Sequence, residues 1–237
     1  MNISSSDAII QISGLDSAEF LQGQITNDVN LASSDKMLRS AICNVKGRVL
    51  AVFKILKVGA DFHIFLNKSV AEKFKSHLEK YSVFYKTKIE FINQSSKNIE
   101  IISESDFRFR SIEEGFVDIN ESISEFFTPH ELNYQNLGLI NFEKGCFTGQ
   151  EVIARMHYRG KLKFGLAKYR IGAANFLCER DYVYNKDNKK IGQIVSKEKD
   201  TGLIAFKDAS LINEKLFKED LKKIEFLSIC LLYTSPS

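Results

Sequence analysis

Residues 39–58, RSAICNVKGRVLAVFKILKV, constrain the fold more than any other stretch of the chain. Two β-rich runs are broken only at Lys46-Gly47, so the segment reads as a hairpin. DFHIFLN, residues 61–67, continues as a further strand, and AIIQI at 8–12 is a short one. The segment from Ser69 spaces Val70, Phe74, Leu78 and Tyr81 as one face of a helix, with Ser69 as its cap. A loop and an Asp or Ser cap precede a second helix over Ala18–Gln22, which ends at Gly23. Strands return at 86–92 and 99–103, and Pro129 at a first helical position opens a short helix in TPHELNYQNLG. Helices and strands thus mix over this part, an α+β pattern.

Beyond Gly160 the texture changes. KFGLAKYRI, DYVYNKDNKKIGQIVS and GLIAFK are short strands joined by turns, with YNKDNKKIG as a hairpin tip. They predict a small all-β domain, giving units at 1–161 and 162–227. The residues 228–237 continue no pattern and are expected to be a truncated or non-native tail.

The four cysteines, Cys43, Cys146, Cys178 and Cys230, are scattered, with no C-x-x-C and no Cys/His cluster at metal-ligand spacing. No metal site is therefore expected. The N-terminus lacks a basic region followed by an apolar core, and no run of about 18 apolar residues occurs. A cytoplasmic protein with free thiols is the expectation. The net charge of +3 names no partner, but from Glu143 to Lys163 five Lys/Arg stand against two Glu. That window could face an anion or be a solvated charged face.

The same window holds EKGCFTGQEVIARMHYRG, residues 143–160. NYQNLGLINFEKGC reads as an apolar strand reaching a turn, and GQEVIARM as a helix start. Cys146 would then lie near helix N-terminal N–H groups and beside Lys144, both of which favour a thiolate. Gly145 and Gly149 would let backbone approach a ligand closely. The plainer alternative is a small buried thiol, the common state of a free cysteine. Arg155 and Arg159 share a helix face; Arg155 is expected to turn inward and fix the loop, while Arg159, Lys161 and Lys163 reach an anionic partner.

Lys144-Gly145-Cys146-Phe147-Thr148-Gly149-Gln150-Glu151, with Arg155 and Arg159-Gly160, resembles the signature of the YgfZ family. These are folate-binding proteins related to the T-protein, the aminomethyltransferase of the glycine cleavage system. Residues 14–29 (GLDSAEFLQGQITNDV), 43–48 (CNVKGR), 80–84 (KYSVF) and 112–116 (IEEGF) resemble further family motifs. The resemblance implies a GcvT/YgfZ-like folate-binding α+β domain followed by a small C-terminal β-barrel. It implies tetrahydrofolate or a derivative as cofactor and Cys146 as a functional thiol. Phe107, Glu113, Lys144, Gly145, Gly149, Gln150 and Arg155 would serve folate, with Phe107 stacking on the pterin and Glu113 bonding its amino edge. Such proteins act in assembly or repair of iron–sulfur enzymes, including tRNA-modifying ones. The partners would be those client enzymes, the chain acting as a monomer without direct contact to nucleic acid or membrane.

Two departures stand out. Only about twenty residues separate Tyr85 from Phe107, where full-length members carry a much longer piece, and the chain has no Trp. One Trp position of the family falls near Asp7. For the T-protein's own reaction, the resemblance puts a catalytic Asp at Ala51, which can accept no proton. An interaction module is the remaining alternative, but basic residues interleaved with stacking aromatics, as RNA binding needs, are missing.

Overall fold

A computed structural model of the chain describes residues 2–95, 99–159, 164–172, 177–213, 216 and 226–234. Strands β1 (Asn2–Ser4) and β2 (Asp7–Ser13) precede helix α1 (Ser17–Gln24). Strands β3 (Leu38–Cys43), β4 (Val49–Val58) and β5 (Asp61–Asn67) lead into helix α2 (Lys68–Tyr81) and strand β6 (Lys88–Ile92). The first sheet has the order β3-β4-β5-β2-β6, with every neighbouring pair antiparallel.

The expected hairpin is β3–β4, pairing Ile42 with Ala51 and Leu38 with Ile55. Its turn closes through Asn44 N donating to Arg48 O at 2.9 Å, with Gly47 at φ +69°, a conformation that favours glycine. The first eight residues of β4 are all buried, so this strand is covered on both faces. On one face α2 contributes Val70, Ala71, Phe74 and Leu78, and Phe74 meets Phe53 edge-on at 5.1 Å. Burying one such ring stabilises the fold by roughly 1.5–3 kcal/mol. The cap of α2 is Asn67, whose side chain accepts from Ser69 N, two residues before the expected Ser69.

Strand β7 (Glu100–Ile102) pairs in parallel with β1 and leads into helix α3 (Glu104–Glu114). The sequence reading assigns no helix there; in the structure only Ser111 and Ile112 of it are buried, so its apolar stripe is faint. Its ends carry the signal: Ser103 caps Asp106 N at 3.1 Å, and Gly115 closes the helix at φ +68°. The helix expected from Pro129 is instead a run of turns over 129–138. Asn133 sits there at φ +62°, which no helix continues through, and the fully buried Tyr134 donates its hydroxyl to Val117 O at 2.6 Å. Residues 139–147 form an irregular segment rather than a strand, held by Asn141 N donating to Thr26 O.

Helix α4 (Gln150–Arg159) and strands β8 (Gly165–Ile171), β9 (Tyr182–Tyr184), β10 (Lys190–Glu198), β11 (Thr201–Phe206) and β12 (Phe226–Thr234) complete the chain. The second sheet has the order β12-β8-β11-β10-β9. Its edges, β12 and β9, do not pair with each other among the described residues, so the sheet is open where a closed β-barrel is expected. Residues 228–234, set aside from the fold in the sequence reading, pair with β8 within β12. Leu166, Val195, Leu203 and Ala205 join the core of the first sheet, while Ala167, Tyr169, Ile194 and Phe206 build a second core on the other face.

Candidate functional site

The cysteine loop is built on Lys144. Its side chain is only 9% exposed, and its ammonium donates to Gln22 O at 2.7 Å, Ile25 O at 2.8 Å and Asn27 O at 3.0 Å. These carbonyls lie at and just beyond the end of α1, where unpaired C=O groups and the negative pole of the helix welcome a cation. Burial pushes the ammonium down to about 8, opposed by the charge of Asp28. The backbone around it is tied by Asn141 Oδ1, which accepts from Glu143 N and Lys144 N.

Gly149 supplies the second anchor. At φ +83° it lies against the hairpin turn so closely that a Cβ there would stand 2.5 Å from Asn44 O. Thr148 N donates to Gly23 O at 3.2 Å, and Gln150 Oε1 accepts from Phe147 N at 3.3 Å. Val152 of α4 packs on Gly47 of the same turn, and His157 stacks on Phe142 at 3.8 Å. The motifs at 14–29, 43–48 and 144–151 therefore converge on one assembly. Cys146 lies exposed on it, while Cys43 is fully buried in β3, where burial pushes its thiol far up.

A separate groove opens where β1, β4, α3 and the segment 116–118 meet. Lys54 lies within the buried run of β4 and is 8% exposed. Its ammonium donates to Asn2 O at 2.7 Å and stands 4.7 Å over the Phe107 ring. Burial, then Arg39, lowers its pKa, against the pull of Asp7 and Asp118. Burial pushes Asp118 up to about 7; Asn67 Nδ2, donating at 3.0 Å, works against the rise and the charge of Asp7 adds to it. Burial likewise pushes Asp7 up to about 6, opposed by the Ser4 N–H and by Lys54. Two carboxyls poised near neutrality can hold or release a proton here. Beyond Lys54, Arg39 donates to Glu114 at 2.7 Å and lies 5.0 Å over the Phe116 ring. The groove comprises two adjoining hollows of about 10 and 20 Å³ that share Lys54, Phe107 and Phe116. Each has room for about one water.

No family model matches the chain. It is 28% identical over 221 residues, 67% of this chain and 68% of that protein, to the "tRNA-modifying protein YgfZ" of Escherichia coli O157:H7 (strain EC4115 / EHEC). The protein of the same name from Shigella dysenteriae serotype 1 (strain Sd197) is 27% identical over the same shares. The fold is similar to that of glycine cleavage system aminomethyltransferase T from Bartonella henselae, with a TM-score of 0.73. That match covers 94% of this chain and 83% of the other at 12% identity. The chain is thus similar in sequence to YgfZ proteins and in fold to a glycine cleavage aminomethyltransferase.

The residues marked from sequence fall into separate places. Lys144, Gly145, Cys146, Gly149 and Gln150 share the anchored loop, whereas Phe107 lines the groove. The Lys144 ammonium points into the α1 terminus, and α4 begins four residues after Cys146. Glu113 stands outside the groove, donated to by Lys168 Nζ at 2.8 Å, and the carboxylate lining the groove is its neighbour Glu114. Successive helical residues point about 100° apart, so both cannot face the groove. Arg155 is exposed rather than inward, because Ile153, fully buried, turns the other face of α4 to the core. Lys161, Lys163 and the boundary at 161/162 lie outside the described residues, as does the side chain of Arg159. Ala51 is fully buried in β4. The residues that sequence reasoning missed are Arg39, Lys54, Glu114 and Asp118. Only Lys54 carried a local signal, a charge inside VLAVFKILKV. Among the described residues no helix is long and apolar enough to cross a membrane.

Proposed function

We propose that the chain is a folate-binding accessory protein supporting the assembly or repair of iron–sulfur enzymes, tRNA-modifying ones among them. The observation that carries this reading is the exposed Cys146, presented on a loop whose anchors are the family's own motif residues. A thiol so held is available to a partner and insulated from the buried Cys43. One cysteine cannot complete a metal site, so further ligands would come from the client. The curated relatives bear the name tRNA-modifying protein, and the neighbour in fold is an aminomethyltransferase. In this reading the protein works as a cytoplasmic monomer on client enzymes, without touching tRNA itself.

Tetrahydrofolate or a derivative is the proposed ligand of the groove. The side-chain chemistry fits: Phe107 and Phe116 offer rings, Glu114 and Asp118 offer acceptors for a pterin amino edge, and Arg39 and Arg110 offer cations for a glutamate tail. The space fits only if the Phe107 ring leaves Lys54, since a ligand of this size needs a few hundred Å³. A second reading, folate-dependent group transfer, draws on Asp118, whose carboxyl titrates near neutrality and so suits a general base.

Calorimetry with tetrahydrofolate tests the ligand. Phe107→Ala and Glu114→Ala are each expected to weaken binding at least about tenfold, the loss of one good stacking or charged contact. Glu113→Ala should leave it unchanged. Absence of binding by the unaltered protein, or binding by both groove variants as tight as that of the unaltered protein, would remove folate from the account.

A further inference from the structure

A larger cleft lies elsewhere, between residues 126–131 and strands β9–β11. Its volume is about 310 Å³, within the range of small-ligand pockets, and it shares no lining residue with the groove at Phe107.

The backbone presents an aromatic ring there at a cost. Glu125 and Phe127 are pinned to the start of β4, through Glu125 N donating to Val49 O at 2.7 Å and Val49 N to Phe127 O at 2.8 Å. Glu125 is held at φ +66°, a strained conformation for a side chain of this kind. The result is that Phe127 is buried at 7% while its neighbour Phe126 stays 45% exposed. A second strained residue meets it: Arg180, at φ +73°, lays its guanidinium 4.0 Å over the Phe126 ring. Across the cleft Lys190 covers the exposed Tyr182 in the same way, at 3.8 Å.

The charge of the lining is lopsided. Arg48, Lys190 and Lys207 stand against Glu131, and Glu131 is already engaged by Arg48 at 3.2 Å and by Thr128. Exposed rings beside cations suit a ligand that is both flat and anionic. Rings stack on a base whatever its identity, and the ammonium groups attract phosphate. The volume holds one such unit rather than a chain.

We propose that this cleft binds a free mononucleotide, with the base against Phe126 and Tyr182 and the phosphate beside Lys190 and Lys207. The site is independent of the folate reading. Titration of the full chain with AMP, followed by calorimetry at low salt, tests it. Saturable one-to-one binding is expected, with inorganic phosphate bound at least about tenfold more weakly because it offers no ring to stack. Tyr182→Ala and Lys190→Glu, both at exposed positions, should each weaken AMP at least about tenfold without changing the melting temperature. Phe107→Ala should leave AMP binding intact whatever it does to folate. The proposal is overturned by no saturable AMP binding, by AMP binding in both cleft variants as tight as in the unaltered chain, or by a hexaadenylate that binds more tightly than AMP.

Discussion

Lys144→Ala is expected to destabilise the protein by about 3–5 kcal/mol, the summed cost of two or three carbonyl acceptors left without a donor. The substitution strips the donor from three carbonyls, those of Gln22, Ile25 and Asn27, and Ile25 and Asn27 are almost wholly buried. A buried acceptor left without a partner costs about 1–3 kcal/mol. In a chain of this size each kcal/mol moves the midpoint by about 2–4 °C, so thermal unfolding should begin on the order of 10 °C earlier. Lys144→Met separates the causes, because it fills the channel yet donates nothing. It should fall nearly as far as Lys144→Ala, and a Met variant as stable as the parent would make the lysine a packing residue.

Gly149→Ala is expected to cost at least about 2 kcal/mol, from left-handed backbone strain together with a steric clash. The residue sits at φ +83°, and the added Cβ would stand 2.5 Å from the Asn44 carbonyl, a main-chain atom of a tight turn that has little room to yield. Gly149→Asn distinguishes the two terms. Asparagine tolerates the left-handed conformation but carries the same Cβ, so recovery is expected to be slight. Gly145→Ala is the control. No atom lies within 4 Å of its would-be Cβ, and the change should stay within about 0.5 kcal/mol. Urea unfolding of the three variants reads all of this, and equal stability of Gly149→Ala and Gly145→Ala would contradict the anchoring of the loop on the hairpin.

These variants bear on what the sequence could disclose. The hairpin at 39–58 was legible because its apolar runs and turn residues agree locally. The convergence of Lys144 on the end of α1 was not, since it joins residues more than a hundred positions apart. The lysine beside Cys146 suggested an electrostatic role, and the fold assigns its ammonium to backbone carbonyls. Helix α3 was missed because its caps, Ser103 and Gly115, carry more signal than its faint apolar face. The turns at 129–138 read as a helix in sequence because Pro129 is a good first residue, and nothing local reveals the left-handed Asn133. At the groove, register decided the outcome: Glu113 and Glu114 are indistinguishable in sequence, yet only Glu114 faces Arg39.

The central claim is that the anchored loop exists to offer the Cys146 thiol to an iron–sulfur client. Affinity capture from cells under anaerobic conditions tests it most directly, comparing the unaltered chain with Cys146→Ser and with Cys178→Ser, another exposed cysteine. Iron–sulfur enzymes should be retained by the unaltered chain and by Cys178→Ser and lost from Cys146→Ser, with all three proteins melting at the same temperature. The same clients held equally by Cys146→Ser would contradict the claim.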